Sequence, residues 1–348
     1  MKRDKIVVIG GYGQVGSIIC KHLDRAFPGK VYAAGRNAEK AQQLVKQSNG
    51  SIQAMVLDID NTIVSAQLEQ VQQVIVCVEQ KNTDFVQHCL QHGIDYIDIS
   101  ASYSFLQQIE ALHDQAKHYK TTAVISVGLA PGITNLLAKY IQSKLESVRE
   151  LTIYIMLGLG DRHGKAAINW TLHEALQSFE RYEDNQKVRV NSFVDKGQVY
   201  FDENYGVKTA YDFNFADQHV LRHTLSIPLV KTRLCFDSTL VTKGLHILKK
   251  TGLIHCVPIQ LLTYLFSTIH VGKPTFMVKV IGKGNNNQVE ETMVQGTEEA
   301  MITAIMACHI SQSLYDGKVP FGVYHSEQLF SWEEIYPIVK SRIEWKGN

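Results

Sequence analysis

Short apolar runs alternate with longer amphipathic stretches over the first 130 residues of the chain. The runs Ile6–Ile9 and Val74–Val78 carry no charged or amide side chain, which is typical of parallel strands buried on both faces of a sheet. Stretches between such runs, for example Ala38–Gln47, place their apolar residues at helical spacing. This alternation predicts an α/β fold, with a doubly wound parallel sheet of the Rossmann type over residues 1–130.

The pattern changes after residue 130, where apolar and polar residues alternate singly in several segments. Such alternation is typical of antiparallel hairpins. The predicted strand pairs are 188–194 with 199–201, and 275–281 with 289–294. A helix is predicted over 165–181. We therefore expect a second α+β domain with a mixed or antiparallel sheet over 131–296, followed by C-terminal helices over 297–348 that return to the Rossmann domain.

A glycine-rich turn follows the first predicted strand. The run Gly11-Tyr12-Gly13-Gln14-Val15-Gly16 fits the pattern G-x-G-x-x-G, and Val15, Ile19 and Leu23 continue at helical spacing. Between a strand and a helix, these glycines permit a tight turn and let a pyrophosphate approach the backbone, while the helix N-terminus presents N–H groups to the anion. In this context the motif predicts a dinucleotide site rather than an ordinary glycine-rich turn.

The end of the second predicted strand indicates which dinucleotide binds. A site for NAD would place an Asp or Glu there to hold the ribose 2′-hydroxyl, whereas this chain has Gly35, Arg36 and Asn37. A glycine leaves room for a phosphate, and a guanidinium offers it forked donors. The sequence therefore predicts NADP as the cofactor, the alternative being that Arg36 is a solvated loop residue.

Acidic residues follow several other predicted strands. Asp58, Glu79 and Asp98 lie at or just past strand ends, and parallel sheets bind ligands where the carboxyl ends of their strands meet. Asp98 is a candidate catalytic residue, although a carboxylate there also suits a turn or a helix cap. The residues expected to bind the cofactor are Gly11, Tyr12, Gly13, Gln14, Val15, Gly16, Arg36, Asn37, Asp58 and Glu79.

Charge and cysteine content narrow the classes of partner. The formal net charge of +1 indicates neither nucleic-acid binding nor an anionic membrane, so we expect a small-molecule substrate. The six cysteines are scattered without zinc-like spacing, and no metal site is predicted. Free cysteines, the lack of a signal peptide and the lack of an apolar stretch of about 18 residues predict a cytoplasmic protein.

Several segments resemble the saccharopine dehydrogenase family, including its carboxynorspermidine dehydrogenase relatives. They are Cys89–Asp98, similar to "C…G-x-x-Y-x-D"; Gly128–Ala138, similar to "G-x-x-P-G-x-x-N-x-x-A"; Gly35-Arg36, which matches the branch that uses NADP; and Gly317–Glu327, similar to the family's C-terminal segment. The resemblance implies a Rossmann domain with an inserted mixed-sheet domain, a homodimer, and NADP-linked hydride transfer at a C–N or C=O carbon of a small amino-acid-derived substrate.

Two positions depart from the reductase branch of that family. Ala130 stands where the branch has an acid in "G-L-D-P-G", and Met156–Gly160 lacks the cysteine that precedes its "G-G-L-P" turn. These differences argue against saccharopine itself as the substrate. They also leave open a second function, that of a catalytically inactive sensor that binds NADP.

The best local candidates for chemistry lie in the polar turn that follows residue 160. His163 has the pKa range of a proton donor for hydride transfer, Arg162 or Lys165 suits a substrate carboxylate, and Asp161 is placed to orient either. The alternative is structural: Asp161 caps the following helix while Arg162 and His163 are solvated.

A third hypothesis is an extended short-chain dehydrogenase. Ser126, Tyr140 and Lys144 follow the order Ser…Tyr-x-x-x-Lys, with Tyr140 as the acid and Lys144 lowering its pKa. Pro131 and Gly132 interrupt the expected strand-to-helix connection, and the fourth strand lacks the N-x-A-G that this class carries.

Overall fold

The computed structural model describes residues 3–48, 51–60, 65–161, 164–183, 186–253, 257–268, 272–286 and 288–347. The chain forms two compact units. The first unit comprises Met1–Gly132 and Ala300–Phe330, and the second comprises Ile133–Glu299 and Ser331–Asn348.

Within its described residues, the first unit is built on a sheet of seven parallel strands. These are β1 (Lys5–Ile9), β2 (Val31–Gly35), β3 (Gln53–Val56), β4 (Val71–Val76), β5 (Asp95–Asp98), β6 (Thr122–Ile125) and β15 (Gly322–His325). Their order is β15-β6-β5-β4-β1-β2-β3, and every neighbouring pair is parallel. This topology confirms the predicted Rossmann fold. Its seventh strand, β15, is absent from the sequence prediction.

Helices precede, connect and follow these strands. They are α1 (Gln14–Ala26), α2 (Ala38–Gln47), α3 (Ser65–Leu68), α4 (Asp84–Gln91), α5 (Tyr103–Glu110), α6 (His113–Tyr119), α12 (Glu299–Tyr315) and α13 (Ser326–Leu329). Helix α1 turns Ile19, Cys20 and Leu23 inward, and all three are buried. In strand β4, Val74, Ile75 and Val76 are fully buried, which explains the apolar run that begins at Val74.

In the part of the second unit that the structure describes, seven strands form a mixed sheet. The strands are β7 (Glu150–Leu157), β10 (Lys196–Tyr200), β11 (Val207–Asp212), β12 (Leu229–Phe236), β13 (Thr275–Lys283), β14 (Val289–Thr297) and β16 (Ile343–Gly347). Their order in the sheet is β10-β11-β12-β7-β13-β14-β16. Strands β7 and β12 are parallel and all other pairs are antiparallel. The mixed sheet and the hairpin of β13 with β14 are confirmed.

Helices and a separate hairpin complete the second unit. The helices are α7 (Thr134–Lys144), α8 (Lys165–Leu176), α9 (Ala216–Thr224), α10 (Thr239–Lys250), α11 (Ile259–Thr268) and α14 (Trp332–Val339). The hairpin pairs β8 (Ser178–Glu183) with β9 (Gln186–Asn191).

Two predicted elements of this region are wrong. The helix predicted over 165–181 ends at Leu176, because the next residues enter β8, where Phe179 faces Val190 of β9 and both are buried. The hairpin predicted between 188–194 and 199–201 does not form, because β9 pairs with β8 while β10 pairs with β11. Apolar spacing alone did not identify the partner of each strand.

The C-terminal segment is divided between the units. Residues 300–330 lie in the first unit, whereas 331–348 lie in the second, since β16 pairs with β14 there. The sequence prediction treated 297–348 as one segment.

Candidate functional site

The predicted glycine turn joins β1 to α1. Gly10 adopts a φ of 75°, a conformation that favours glycine, and the N–H of Gly13 donates to the carbonyl of Gly10 over 2.8 Å. Helix α1 then begins at Gln14 with Gly13 as its N-cap. The turn is therefore a tight reversal at the carboxyl edge of the sheet.

No side chain fits beneath this turn. A Cβ atom on Gly11 would lie 2.7 Å from the carbonyl oxygen of Val8 and 2.8 Å from Cα of Ala33 in β2. A Cβ on Gly16 would lie 2.9 Å from Cα of Gly11 and would collide with the carbonyl of Gly10. The glycines thus allow the turn, β1, β2 and α1 to meet backbone to backbone.

The first turn of α1 suits an anion. Among the described residues no side chain caps this helix, and its first turn carries no acidic residue. A helix N-terminus carries a partial positive charge and orients N–H groups outward. Together with the backbone floor of the turn, this arrangement fits the diphosphate of a dinucleotide.

The end of β2 provides the neighbouring part of the site. Arg36 is exposed, and among the described residues none accepts a hydrogen bond from its guanidinium. The side chain of Asn37 accepts from the N–H of Lys40 over 2.9 Å and caps α2. The N–H of Asn37 donates to the hydroxyl of Tyr12 over 3.0 Å. An exposed guanidinium thus lies beside a polar turn, as an additional phosphate would require.

Asp58 and Glu79 lie where the topology places them, just past the carboxyl ends of β3 and β4. Asp58 accepts a hydrogen bond from the N–H of Asp60 over 3.2 Å, which is a turn role. Glu79 is exposed. Their roles as cofactor ligands stay predictions.

Asp98 lies at the end of β5 inside a hydrogen-bonded cluster. Its Oδ2 accepts from the hydroxyl of Tyr96 and, over 3.0 Å, from Nε2 of Gln80. Its Oδ1 accepts from the N–H of Ser100 over 2.6 Å. Only 1% of Asp98 is exposed. In this conformation the carboxylate organises the loop after β5, and its catalytic role stays a prediction.

Burial sets the protonation behaviour of this carboxyl. Desolvation raises the pKa of Asp98 to about 6, and the hydrogen bonds from Tyr96, Ser100 and Gln80 offset part of that effect. The folded protein therefore favours the protonated form more than the unfolded chain does.

Asp161 accepts a hydrogen bond from a residue distant in the sequence within the second unit. Its Oδ2 accepts a hydrogen bond from the backbone N–H of Glu299 over 3.0 Å. A Cβ on Gly158 would lie 2.6 Å from the carbonyl of Thr275, which explains the glycines before Asp161. The other two residues predicted for catalysis in this turn, Arg162 and His163, lie outside the described residues.

The residues of the short-chain dehydrogenase hypothesis have structural partners. Tyr140 packs edge-on against Trp345 with ring centroids 5.2 Å apart, and the ammonium of Lys144 lies 4.9 Å from the centroid of the Tyr140 ring. In the first unit, the hydroxyl of Ser126 lies 2.7 Å from Nδ1 of His325.

Two polar networks have no counterpart in the sequence prediction. In the first unit, Nε2 of His325 lies 2.7 Å from a carboxylate oxygen of Glu110, which extends the contact with Ser126 into a chain of three side chains. In the second unit, Asp212 is 1% exposed and binds both Arg181 and Arg233, over 2.8 and 2.7 Å. These partners are far apart in the sequence, so no local motif signals them.

The chain has been compared with known proteins. Residues 6–124 match the sequence profile of the saccharopine dehydrogenase NADP binding domain. No curated protein sequence matches. Helices with the length and apolarity needed to cross a membrane are absent from the described part of the chain.

The chain is similar to several solved structures. Apo histidine-tagged saccharopine dehydrogenase (L-Glu forming) from Saccharomyces cerevisiae has a TM-score of 0.66 and 14% identity, over 99% of this chain and 100% of that chain. An engineered D-amino acid dehydrogenase bound to NADP+ has a TM-score of 0.47 and 11% identity, over 97% and 99% of the two chains. A mutant meso-dapdh with DAP from Clostridium tetani E88 has a TM-score of 0.45 and 12% identity, over 96% of this chain and 99% of that chain. At 14% identity, the likeness to the first of these structures concerns the fold alone.

The backbone approach at the turn generates one prediction. Gly16→Ala should destabilise the protein by about 1–3 kcal/mol, because its Cβ must displace the backbone of Gly10 and Gly11. Gly244→Ala is the control, since a Cβ there meets nothing within 4 Å; it should be neutral or stabilise α10 by up to about 1 kcal/mol. Urea unfolding measures both. Equal midpoints for Gly16→Ala and the wild type would contradict this account.

The buried carboxyl generates a second prediction. Because the folded pKa of Asp98 is raised, its contribution to stability is present below pH 4 and is lost as the pH rises through 6. Asp98→Asn removes this dependence, so its cost in unfolding free energy should be about 2 kcal/mol larger at pH 4 than at pH 8. Denaturant titrations at both values test this, with Asp114→Asn as the exposed control. A cost that is independent of pH would exclude this pKa shift.

Proposed function

Residues 6–124 match the sequence profile of the saccharopine dehydrogenase NADP binding domain, and from this premise we propose that the protein transfers hydride at a C–N or C=O carbon of a small amino-acid-derived substrate. The same match supports NADP as the cofactor and a dehydrogenase as the class of enzyme. The substrate class and the catalytic residues are the proposal.

The observation that carries the proposal is the side-chain-free cradle at the glycine turn, with Arg36 exposed beside it. The diphosphate fits against the N-terminus of α1, and the guanidinium suits the 2′-phosphate that distinguishes NADP from NAD. Such a site fixes one end of a cofactor that donates or accepts the hydride. The protein then has to supply substrate binding and a proton.

The turn 160–165 is the proposed source of the proton donor. His163 suits this role near neutral pH, and Arg162 or Lys165 suits a substrate carboxylate. Asp161 would act as a positioning residue, because its bond to the N–H of Glu299 holds the start of this turn. Asp98 is a second candidate acid, with a pKa of about 6, although its carboxylate already accepts three hydrogen bonds within its own cluster.

The residues that differ from the reductase branch favour a substrate other than saccharopine. Ala130 and Met156–Gly160 offer neither the acid nor the thiol of that branch. A substrate made from another amino acid or amine and a carbonyl compound would contain the same kind of C–N bond. It would differ from saccharopine in the side groups that the protein has to bind. We further propose a cytoplasmic homodimer, which sedimentation velocity and cell fractionation test.

A second candidate function is that of a catalytically inactive NADP sensor, favoured by the same two departures. The short-chain dehydrogenase hypothesis is less well supported, because Tyr140 packs against Trp345 and Ser126 bonds His325. Substrate-dependent oxidation of NADPH, followed by absorbance with a panel of amino acids paired with oxo acids and aldehydes, separates enzyme from sensor. A protein that binds NADPH but oxidises it with no pair in the panel would be the sensor.

Arg36→Ala tests the cofactor assignment. Removing the guanidinium should weaken NADP binding about 10- to 100-fold, as expected for lost hydrogen bonds to a charged group, and should change NAD binding by less than about threefold. Isothermal titration calorimetry with both cofactors measures the ratio. Arg25→Ala, which removes a basic residue from the last turn of α1, is the control. An unchanged ratio of affinities in Arg36→Ala would contradict the assignment.

His163→Gln tests the proposed proton donor. The variant should lower kcat by about 100-fold or more while NADP affinity stays unchanged, since general acid catalysis contributes about that much. Steady-state kinetics against pH should show loss of one limb of the profile. If the variant keeps full kcat and a wild-type pH profile, His163 is not the proton donor. Asp98 is then the next residue to test.

A further inference from the structure

Tyr12 lies between the two halves of the cofactor site within the first unit. Its ring packs on the backbone of Gly35, so that a Cβ there would come within 2.5 Å of the hydroxyl and 2.7 Å of the ring carbons. Its hydroxyl oxygen accepts a hydrogen bond from the N–H of Asn37 over 3.0 Å. The side chain of the glycine turn therefore reaches the end of β2, next to Arg36.

This contact leaves the phenol with a proton to donate. A tyrosine hydroxyl both accepts and donates, and the bond from the N–H of Asn37 occupies an acceptor position. Among the described residues, none accepts a hydrogen bond from the O–H of Tyr12. The ring is half-buried, and its contact with Gly35 restricts the directions in which the O–H can point.

We propose that Tyr12 determines cofactor specificity together with Arg36, its O–H donating to the 2′-phosphate of the adenosine ribose. The inference deepens the proposed function and rests on NADP binding. The N–H of Asn37 positions the hydroxyl, Gly35 provides the space for the ring, and Arg36 supplies the opposite charge.

The chemistry explains why this tyrosine would discriminate between cofactors. A phosphate dianion accepts a charge-assisted hydrogen bond, which is about twice as strong as one between neutral groups. NAD carries a neutral hydroxyl at the same carbon. Replacing a hydrogen bond between Tyr12 and that hydroxyl by one to water changes the binding free energy little. The lack of an acidic residue at positions 35 and 36 also favours NADP, because a carboxylate at either position would repel the 2′-phosphate. A side chain at position 35 would in addition displace the phenol of Tyr12.

Tyr12→Phe keeps the ring on Gly35 and removes only the hydroxyl. Calorimetric titration should show NADP binding weakened about 10- to 100-fold and NAD binding changed by less than about threefold. Adenosine 2′,5′-bisphosphate and AMP, used as fragments, should show the same difference. Tyr119→Phe makes the same change at an exposed residue, the last of α6. It should leave the affinities for NADP, NAD and both fragments unchanged.

A second measurement separates a phosphate contact from a change in the fold. Loss of a donor should raise the pKa of the bound 2′-phosphate, so phosphorus NMR of NADP on Tyr12→Phe should titrate at higher pH than on the wild type. Thermal unfolding checks that the variant is folded. If the wild type binds NADP but the ratio of NADP to NAD affinity and the phosphate pKa are both unchanged in Tyr12→Phe, Tyr12 has no such role. If the wild type binds neither cofactor, the proposed function itself fails.

Discussion

The structure of the first unit depends on one steric constraint, the approach of the glycine turn to β1 and β2 with no side chain between them. Gly11 lies against Ala33, and Gly16 lies against Gly10 and Gly11. Close packing of this kind brings the N-terminus of α1 to the carboxyl edge of the sheet. Because all seven strands are parallel, the residues that follow them gather at that same edge. The cofactor site is therefore a consequence of backbone geometry before any charged group is considered.

The first domain could be predicted because its signals are local. Buried strand segments such as Ile6–Ile9 of β1 form continuous apolar runs, and the glycine turn, Gly35 and Arg36 lie within thirty residues of one another. Strand β15 could not be found in this way. Its four residues carry no alternation of their own, and they become a strand only by pairing with β6, about two hundred residues earlier in the chain.

The second unit shows why pairing is harder to predict than strand content. Ile168, Leu172, Leu176 and Phe179 share a helical spacing, yet Phe179 is buried by facing Val190 across a hairpin. The site follows the same rule. The turn and Arg36 are visible in the sequence, whereas the bond from Asn37 to Tyr12, the cluster around Asp98 and the bond from Glu299 to Asp161 depend on three-dimensional neighbours.

The late position of β15 in the chain has a consequence for biosynthesis. A ribosome releases β1 to β6 long before Gly322–His325 emerges, so one edge of β6 is unpaired while Ile133–Glu299 of the second unit is synthesised. Unpaired edges of apolar strands recruit other chains, and nascent chains meet chaperones at such surfaces. The hydrogen bond between Ser126, just past the end of β6, and His325 also forms only after β15 has been synthesised, because His325 is part of that strand. Folding of the first unit is thus completed only after β15 has been translated.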